Sequence, residues 1–546
     1  MITDIARLFA RAAAFFAAAL VLAVPAQAEW HRAESERFII YSDSRADDLA
    51  EFAETLERYH VALSLETGRQ VPVPSPSSRL TVYMVGSRDD LKRLYGSRRS
   101  AVGGFYIPRA NGSVAFVPNV RVRVRDAGRG RVGTRYSRSV NVGVDPALST
   151  LLHEYAHHFL IGSARHAMPS WLSEGAAEYF SSARFNEDGS VDIGLPNNDR
   201  AWELSQAAPV SLAELLDYEL YRENKGNRYD AYYGKAWLLY HYLRFEPSRA
   251  GQLATYWQAV AQGAGSLEAA QAIFGDLGRL EKELHAYATQ RRMAGMRFAA
   301  DDIRIGAVRV EPLSEGHAAM MDVILRSKRG VDEELAAEVV ADARAVAERY
   351  PGDAEVLAAL AEAEYDAGND DAAIAAARRA IAADPSVTNA YVQQGYALFR
   401  KAEAAQDAAA AFAAAMAPFE ALNALETNHT QPLIYYYRSF TRQGISPPED
   451  ARFAIERATQ LAPFDKNLAM EVAVMKAGEG QPAIARYLLA PVAADPHGGS
   501  RAATAREMIA VLEKVPDGRR VTFKNLGEAG DKEGDDGDNG GGGEGD

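Results

Sequence analysis

Between residues 29 and 144 the apolar positions switch between short strand-like runs and helical spacing, which predicts a mixed α/β region. Phe38-Ile39-Ile40-Tyr41 reads as a strand, Ala46 to Thr67 as a helix and Leu80 to Val85 as a second strand. Gly104 to Ile107 and Ser113 to Val117 read as the arms of a hairpin. Val120 to Arg125 alternates valine with arginine, so Arg121, Arg123 and Arg125 share one face, and Arg129, Arg131, Arg135 and Arg138 follow. That pattern fits a solvated edge strand blunted by charge and then a loop; the alternative is a basic rim that attracts acidic substrates. Asp145-Pro146 supplies an N-cap and a proline at the first helical position, and Leu148, Leu151, Leu152, Tyr155 and Phe159 carry the spacing of a buried helix. Pro169-Ser170-Trp171 opens another helix through Glu174, Ala177, Glu178 and Tyr179. Tyr232 to Leu243 is a third helical run, dense in tyrosine.

From about residue 314 the pattern becomes one of alanine-rich helices. Pro351, Pro385, Pro418, Pro463 and Pro496 recur at intervals of 34, 33, 45 and 33. Ala373 and Ala380 in one unit, and Tyr391 and Gly395 in the next, fall at packing positions. The longer interval fits an insertion near Phe419 to Gln431, between units. No unit carries a full motif, so residues 314–515 resemble degenerate tetratricopeptide repeats, helix pairs closed by a proline turn. Such pairs stack into a curved solenoid whose concave surface takes a peptide or a protein partner.

The chemistry concentrates in His153-Glu154-Tyr155-Ala156-His157 and, shortly after, Trp171-Leu172-Ser173-Glu174-Gly175. Histidines four apart lie on one helix face, where both imidazoles reach one ion. The glutamate between them borders the same site and can take a proton from a water that the metal activates. A later glutamate completes a three-ligand set with one position open for reaction. An ordinary core helix with two satisfied histidines is the plain alternative, but a buried glutamate between them is costly without a partner.

HEYAHH with WLSEGAAEYF resembles the gluzincin zinc peptidases, most closely the peptidase MA-like families with WLxEGxAEY. The resemblance covers about residues 29 to 300. It implies zinc as cofactor, His153, His157 and Glu174 as its ligands, Glu154 as general base and Glu178 as the group that orients a ligand histidine. It also favours Tyr233, with Tyr232 second, as the phenol that supports the tetrahedral intermediate; His241 on the same run is a further candidate. The metzincin pattern fails, since it wants a glycine where Leu160 stands and a histidine where Ser163 stands; His166 is a rival third ligand at the wrong spacing. Gluzincins place an edge strand before the active helix to pair with substrate, a role open to Ser113 to Val117 or Val120 to Val124. Neither carries the Gly-x-Met-Glu-Asn run of the aminopeptidase branch, which makes an endopeptidase the expectation.

Bulk properties narrow the rest. A chain of 546 residues holds about three domains. Its net charge of −14 argues against nucleic-acid binding. Cysteine is absent, so disulfides and thiol catalysis are excluded, and a metal must sit on histidine and carboxylate. Arg7 and Arg11 precede an apolar stretch from Ala12 to Val24 and the small-residue site Ala26-Gln27-Ala28, a signal peptide over residues 1–28 that is too short for a comfortable membrane span. Mature protein then begins at Glu29 in an exported compartment, with the bacterial periplasm as the expectation and no stable membrane span left. His31, His60 and His158 read as structural. The expected architecture is an α+β gluzincin-like domain at 29–300, a linker at 301–313, the helical repeats at 314–515 and an acidic, glycine-rich disordered tail at 516–546. Asp531 to Asp538 lacks the glutamate that closes a calcium loop. The function expected is zinc-dependent hydrolysis of peptide bonds in a peptide or protein substrate; the alternative is a silent peptidase-like scaffold whose repeats bind a protein partner.

Overall fold

The computed structural model describes residues 29–97, 102–120, 145–163, 167–290, 292–495 and 498–523. The signal-peptide stretch, the arginines at 121–138, all but Val120 of the strand expected at Val120 to Val124, His166, Pro496 and residues 524–546 of the expected tail lie outside the described residues. The first part of that tail is not disordered: Val521 and Phe523 pack against the last helices, with the Val521 N–H donating to the Ala477 carbonyl at 2.9 Å.

An α/β region with a mixed sheet comes first and a helical region follows. The sheet contains β1 (His31–Glu34), β2 (Phe38–Ser42), β3 (Leu80–Val85), β4 (Phe105–Ile107) and β5 (Val114–Pro118). A smaller sheet holds β6 (Arg184–Phe185), β7 (Val191–Ile193) and β8 (Met296–Phe298), and β9 (Arg309–Pro312) returns to the first. The large sheet runs β4-β5-β3-β2-β1-β9, with β2, β3 and β5 parallel and the outer pairings antiparallel. The expected hairpin is present as β4 and β5, with Phe105 opposite Phe116 and Ile107 opposite Val114. Ser113 to Val117, however, is not an edge: β5 is held between β3 and β4, and β4 is the edge strand on that side. The segment expected as a linker also differs. Arg309–Pro312 pairs with β1 along its whole length, because an edge strand can be held by backbone hydrogen bonds without an apolar face.

Helix α1 (Ala46–Thr67) covers one face of this sheet, burying Leu49, Phe52, Leu56 and Tyr59 against Phe38, Ile40, Val82 and Met84. On the same side lie α3 (Pro146–Ser163), α4 (Ser170–Ser181), α5 (Asn198–Gln206), α6 (Leu212–Leu216), α7 (Tyr218–Lys225) and α8 (Tyr232–Phe245), after the short α2 (Arg88–Tyr95). Three more helices, α9 (Gln252–Ala261), α10 (Ser266–Phe274) and α11 (Leu277–Ala288), close the region.

The helical region comprises α12 (Glu315–Arg329), α13 (Glu333–Arg349), α14 (Ala354–Asp366), α15 (Asp370–Ala383), α16 (Thr388–Glu403), α17 (Ala408–Leu425), α18 (Thr430–Thr441), α19 (Glu449–Leu461), α20 (Lys466–Gly478), α21 (Pro482–Ala493) and α22 (Gly499–Leu512). Each packs on the next, and α12, α14 and α16 also pack in series, the neighbour-on-neighbour layering of a solenoid. Asp332, Asp353, Asp407 and Asp465 cap the helices that follow them, which sets where each turn ends. Pro351, Pro385 and Pro463 do lie in inter-helix turns, whereas Pro418 sits inside α17. The long interval therefore reflects an 18-residue helix that runs on to Leu425, not an insertion at Phe419 to Gln431. By length and composition α17 could cross a membrane, but Phe412, Phe419 and Leu422 are buried between its neighbours.

The solenoid does not stand apart from the sheet. Met321 and Leu325 of α12 pack on the face opposite α1, against Tyr83, Val85, Val114 and Phe116. Tyr41, Tyr83, Phe116 and Phe105 form an aromatic row across β2, β3, β5 and β4, with ring centroids 5.3, 5.3 and 4.7 Å apart. Burial on both faces explains why β5 carries apolar residues at every position rather than alternating.

Candidate metal centre

Helix α3 starts where its sequence signals place it, with the Asp145 carboxylate accepting from the Ala147 N–H at 2.8 Å. Four-residue spacing then puts His153 and His157 side by side, their Nε2 atoms 3.1 Å apart. Helix α4 crosses below and brings in Glu174, whose Oε2 lies 3.3 Å from His153 Nε2 and 3.4 Å from His157 Nε2. One donor atom from each of His153, His157 and Glu174 falls within 4.8 Å of the others. Glu174 is buried, while the two imidazoles keep 15 % and 14 % of their surface exposed, so the cluster opens to one side.

Gly175 explains how α4 gets so close to α8. A Cβ at that position would lie 2.5 Å from the Ala236 carbonyl oxygen and 3.2 Å from Tyr240 Cβ. Only glycine permits this approach, which brings Glu174 into the neighbourhood of Tyr232 and Tyr233 at the start of α8.

Both histidines are oriented from behind. His153 Nδ1 lies 3.2 Å from Glu178 Oε1, and His157 Nδ1 lies 3.1 Å from Ser173 Oγ. With Nδ1 engaged in this way, Nε2 of each ring is left to face Glu174. Glu178 is itself held by Arg200 Nε at 2.9 Å and by the Asn197 amide at 3.1 Å. Burial opposes its ionisation, but Arg200 and His153 outweigh burial and hold the carboxyl down at about 2. Burial likewise opposes charge on His153, yet the Glu174 and Glu178 carboxylates raise its imidazole well above the ordinary value. The pocket is built to hold positive charge.

Glu154 is half-buried on the same helix and its carboxylate is one of the groups that, with burial, raise the Tyr106 phenol. Tyr233 is half-buried and Tyr232 buried; burial and then Glu174 raise both phenols well above the ordinary value. Arg200 lies over the Tyr233 ring at 5.3 Å. His241 is remote in function: it is fully buried, contacts Tyr287 Oη at 2.8 Å and the Gly194 and Ala294 carbonyls at 3.1 Å, and burial lowers it to about 4. His60 is similarly spent on Tyr155 Oη at 2.7 Å, and His158 on Tyr106 Oη at 2.7 Å.

Sequence reasoning missed Ser173, Asn197, Arg200 and Tyr218. Ser173 stands beside Glu174, and helical geometry could have flagged it; Arg200 and Asn197 come from α5 and its cap, which no spacing rule ties to α4. Tyr218, at the start of α7, has its phenol raised by burial first and then by Glu174.

A family described as "Protein of unknown function (DUF1570)" matches residues 147–263, a span that runs from α3 through α9 and contains every residue of the cluster. No curated protein matches the chain. Among solved structures, a thermophilic TPR protein of Thermus thermophilus is similar at 14% identity, covering 35% of this chain and 93% of that one with a TM-score of 0.28. MamA is similar at 19% identity, covering 32% and 90% with a TM-score of 0.24.

Proposed function

We propose that this chain is an exported zinc-dependent peptidase, acting in the bacterial periplasm as an endopeptidase on peptide or protein substrates. The observation that supports this most is the convergence of three lone-pair donors, His153 Nε2, His157 Nε2 and Glu174 Oε2, at 3.1 to 3.4 Å from one another. Groups converging at that range meet around either a proton or a cation, and two imidazoles with one carboxylate are a zinc set with an open fourth position. Zinc held there would supply a Lewis acid that activates water and polarises the scissile carbonyl. Glu154 accepts the proton of the attacking water and delivers it to the leaving amine. Tyr233 donates a hydrogen bond from its phenol to the carbonyl oxygen as charge develops there. Glu178, braced by Arg200 and Asn197, keeps the His153 ring turned toward the cluster.

The solenoid favours a second reading, a catalytically silent scaffold whose helical repeats mediate protein–protein interaction. Stacked helix pairs are an architecture suited to binding other proteins, and they support an interaction role more directly than they support catalysis.

Elemental metal analysis of the chain from Glu29 onward, beside Glu174→Ala, separates the two. About one zinc per chain, lost in the variant, is the peptidase result. No zinc in either protein after zinc is supplied leaves the scaffold.

A further inference from the structure

The zinc-site residues do not face open solvent on all sides. At the rim nearest Glu154, Phe464 from the turn before α20 packs on the ring of His158, centroids 4.7 Å apart. The next residue, Asp465, uses its carboxylate twice. One oxygen caps α20 through the Leu468 N–H at 2.9 Å; the other accepts from the Ala110 N–H at 2.8 Å, in the turn that joins edge strand β4 to β5. Thr430, at the start of α18, donates to the Ala110 carbonyl. Tyr106 on β4 lies between these groups: its Oη is 2.7 Å from His158 Nδ1, and the Glu154 and Asp465 carboxylates both act on its phenol.

At the opposite rim the same part of the solenoid returns. Asp495, after α21, acts together with Glu174 on the phenol of Tyr218, and Arg506 of α22 comes within 3.7 Å of Glu219 on α7. Lys466 and Asp495 form an ion pair that ties the two rims to each other through the solenoid. The last three helices, α20 to α22, and the turn before them therefore reach from Tyr106 and His158 on one side to Tyr218 and Glu219 on the other.

The geometry points to Phe464, Asp465 and Asp495 as a fixed wall over the metal site, making them specificity-determining residues that admit one extended polypeptide strand and exclude wider substrates. This rests on the peptidase reading above. An extended strand requires only its own width beside β4, whereas a closed ring or folded loop brings two strands, at about 4.8 Å spacing, into the same space. Because the wall is fastened to the β4–β5 turn, it also fixes the edge strand relative to His153 and His157.

The test starts from a bond that the zinc-loaded wild type cuts in unfolded casein. A peptide spanning that bond is made in linear and in head-to-tail cyclic form, and kcat/KM is measured on both. The wild type is expected to prefer the linear form, and Phe464→Ala to reduce that preference by about tenfold through the wider cleft. Asp465→Asn keeps a good helix cap while losing the carboxylate that receives Ala110, so it loosens the wall without dismantling α20. In both variants hydrogen exchange at residues 105–113 is expected to quicken while zinc content stays at the wild-type level. Equal turnover of linear and cyclic peptide by the wild type, or a preference unmoved in both variants, overturns the wall but leaves the peptidase standing. Absence of casein cleavage by zinc-loaded wild type overturns the peptidase reading and the wall with it.

Discussion

His153 Nδ1 lies 3.2 Å from Glu178 Oε1, so a glutamate one turn beyond Glu174 sets which nitrogen of His153 faces Glu174 and His157. Arg200 and Asn197 hold that glutamate in turn. Glu178→Gln keeps the size but loses the charge that Arg200 and His153 both use. It is expected to weaken zinc affinity by about ten- to a hundredfold, read by competition with a chelator of known affinity. Unchanged affinity would mean that the His153 ring is oriented by packing alone.

Glu154 is on the ligand helix without being among the three clustered donors. Glu154→Gln is therefore expected to bind zinc as the wild type does and to lose at least about a hundredfold in kcat on unfolded casein. Retained turnover in a zinc-loaded variant would remove Glu154 from proton transfer.

How much of this was legible follows from what kind of geometry each residue depends on. His153, His157, Glu174 and Glu178 depend on spacing within two helices, and helical periodicity carries that information. Arg200 and Asn197 depend on how α5 crosses α4, which no local pattern encodes. The β4 and β5 arms were readable as two short runs that form a hairpin, yet which one forms the edge is decided by the pairing of β5 with β3. Pro418 falls at the repeat period but in the interior of α17, where the helix simply continues through it. Residues 309–312 looked like linker because an exposed edge strand needs little apolar surface; only Val310 packs against the core. The docking of Asp465 on Ala110 joins residues 355 apart and had no sequence signal at all.

Gly175 is a packing residue whose effect reaches Glu174. A Cβ there would meet the Ala236 backbone at 2.5 and 2.8 Å, and backbone cannot step aside cheaply. Gly175→Ala is expected to destabilise the protein by about 1–3 kcal/mol through overpacking, despite the higher helix propensity of alanine. Because Glu174 moves with α4, the same variant should bind zinc more weakly. Thermal unfolding with and without added zinc measures both effects, and an unchanged melting temperature would contradict the close approach.

Tyr232 and Tyr233 are adjacent but differ in what their hydroxyls can do. Tyr232 Oη is buried and makes no hydrogen bond among the described residues, whereas Tyr233 is half-buried beneath Arg200. Replacing a buried hydroxyl that has no partner costs little, so Tyr232→Phe is expected to be neutral or slightly stabilising in a denaturant titration. Tyr233→Phe is expected to lower kcat on casein by about ten- to a hundredfold with zinc content intact. The reverse pattern, activity lost in Tyr232→Phe alone, would transfer the oxyanion role to Tyr232.

Asp366, the last residue of α14, is expected to make stability depend on pH. Burial, reinforced by the nearby Glu362 carboxylate, lifts its carboxyl to about 7 although Lys328, Arg109 and Arg400 pull the other way. In the unfolded chain the same group titrates near 4. Between those values the folded protein holds a proton that the unfolded chain has released, so stability falls as pH rises from about 4 to about 7 and is level above. Asp366→Asn removes the charge and with it this contribution to the slope. The variant is expected to gain on the wild type progressively across that interval and to keep the gain at higher pH, in urea titrations at pH 4, 5, 6, 7 and 8. Parallel curves for the two proteins would show that the Arg109 and Lys328 charges keep Asp366 ionised in the fold.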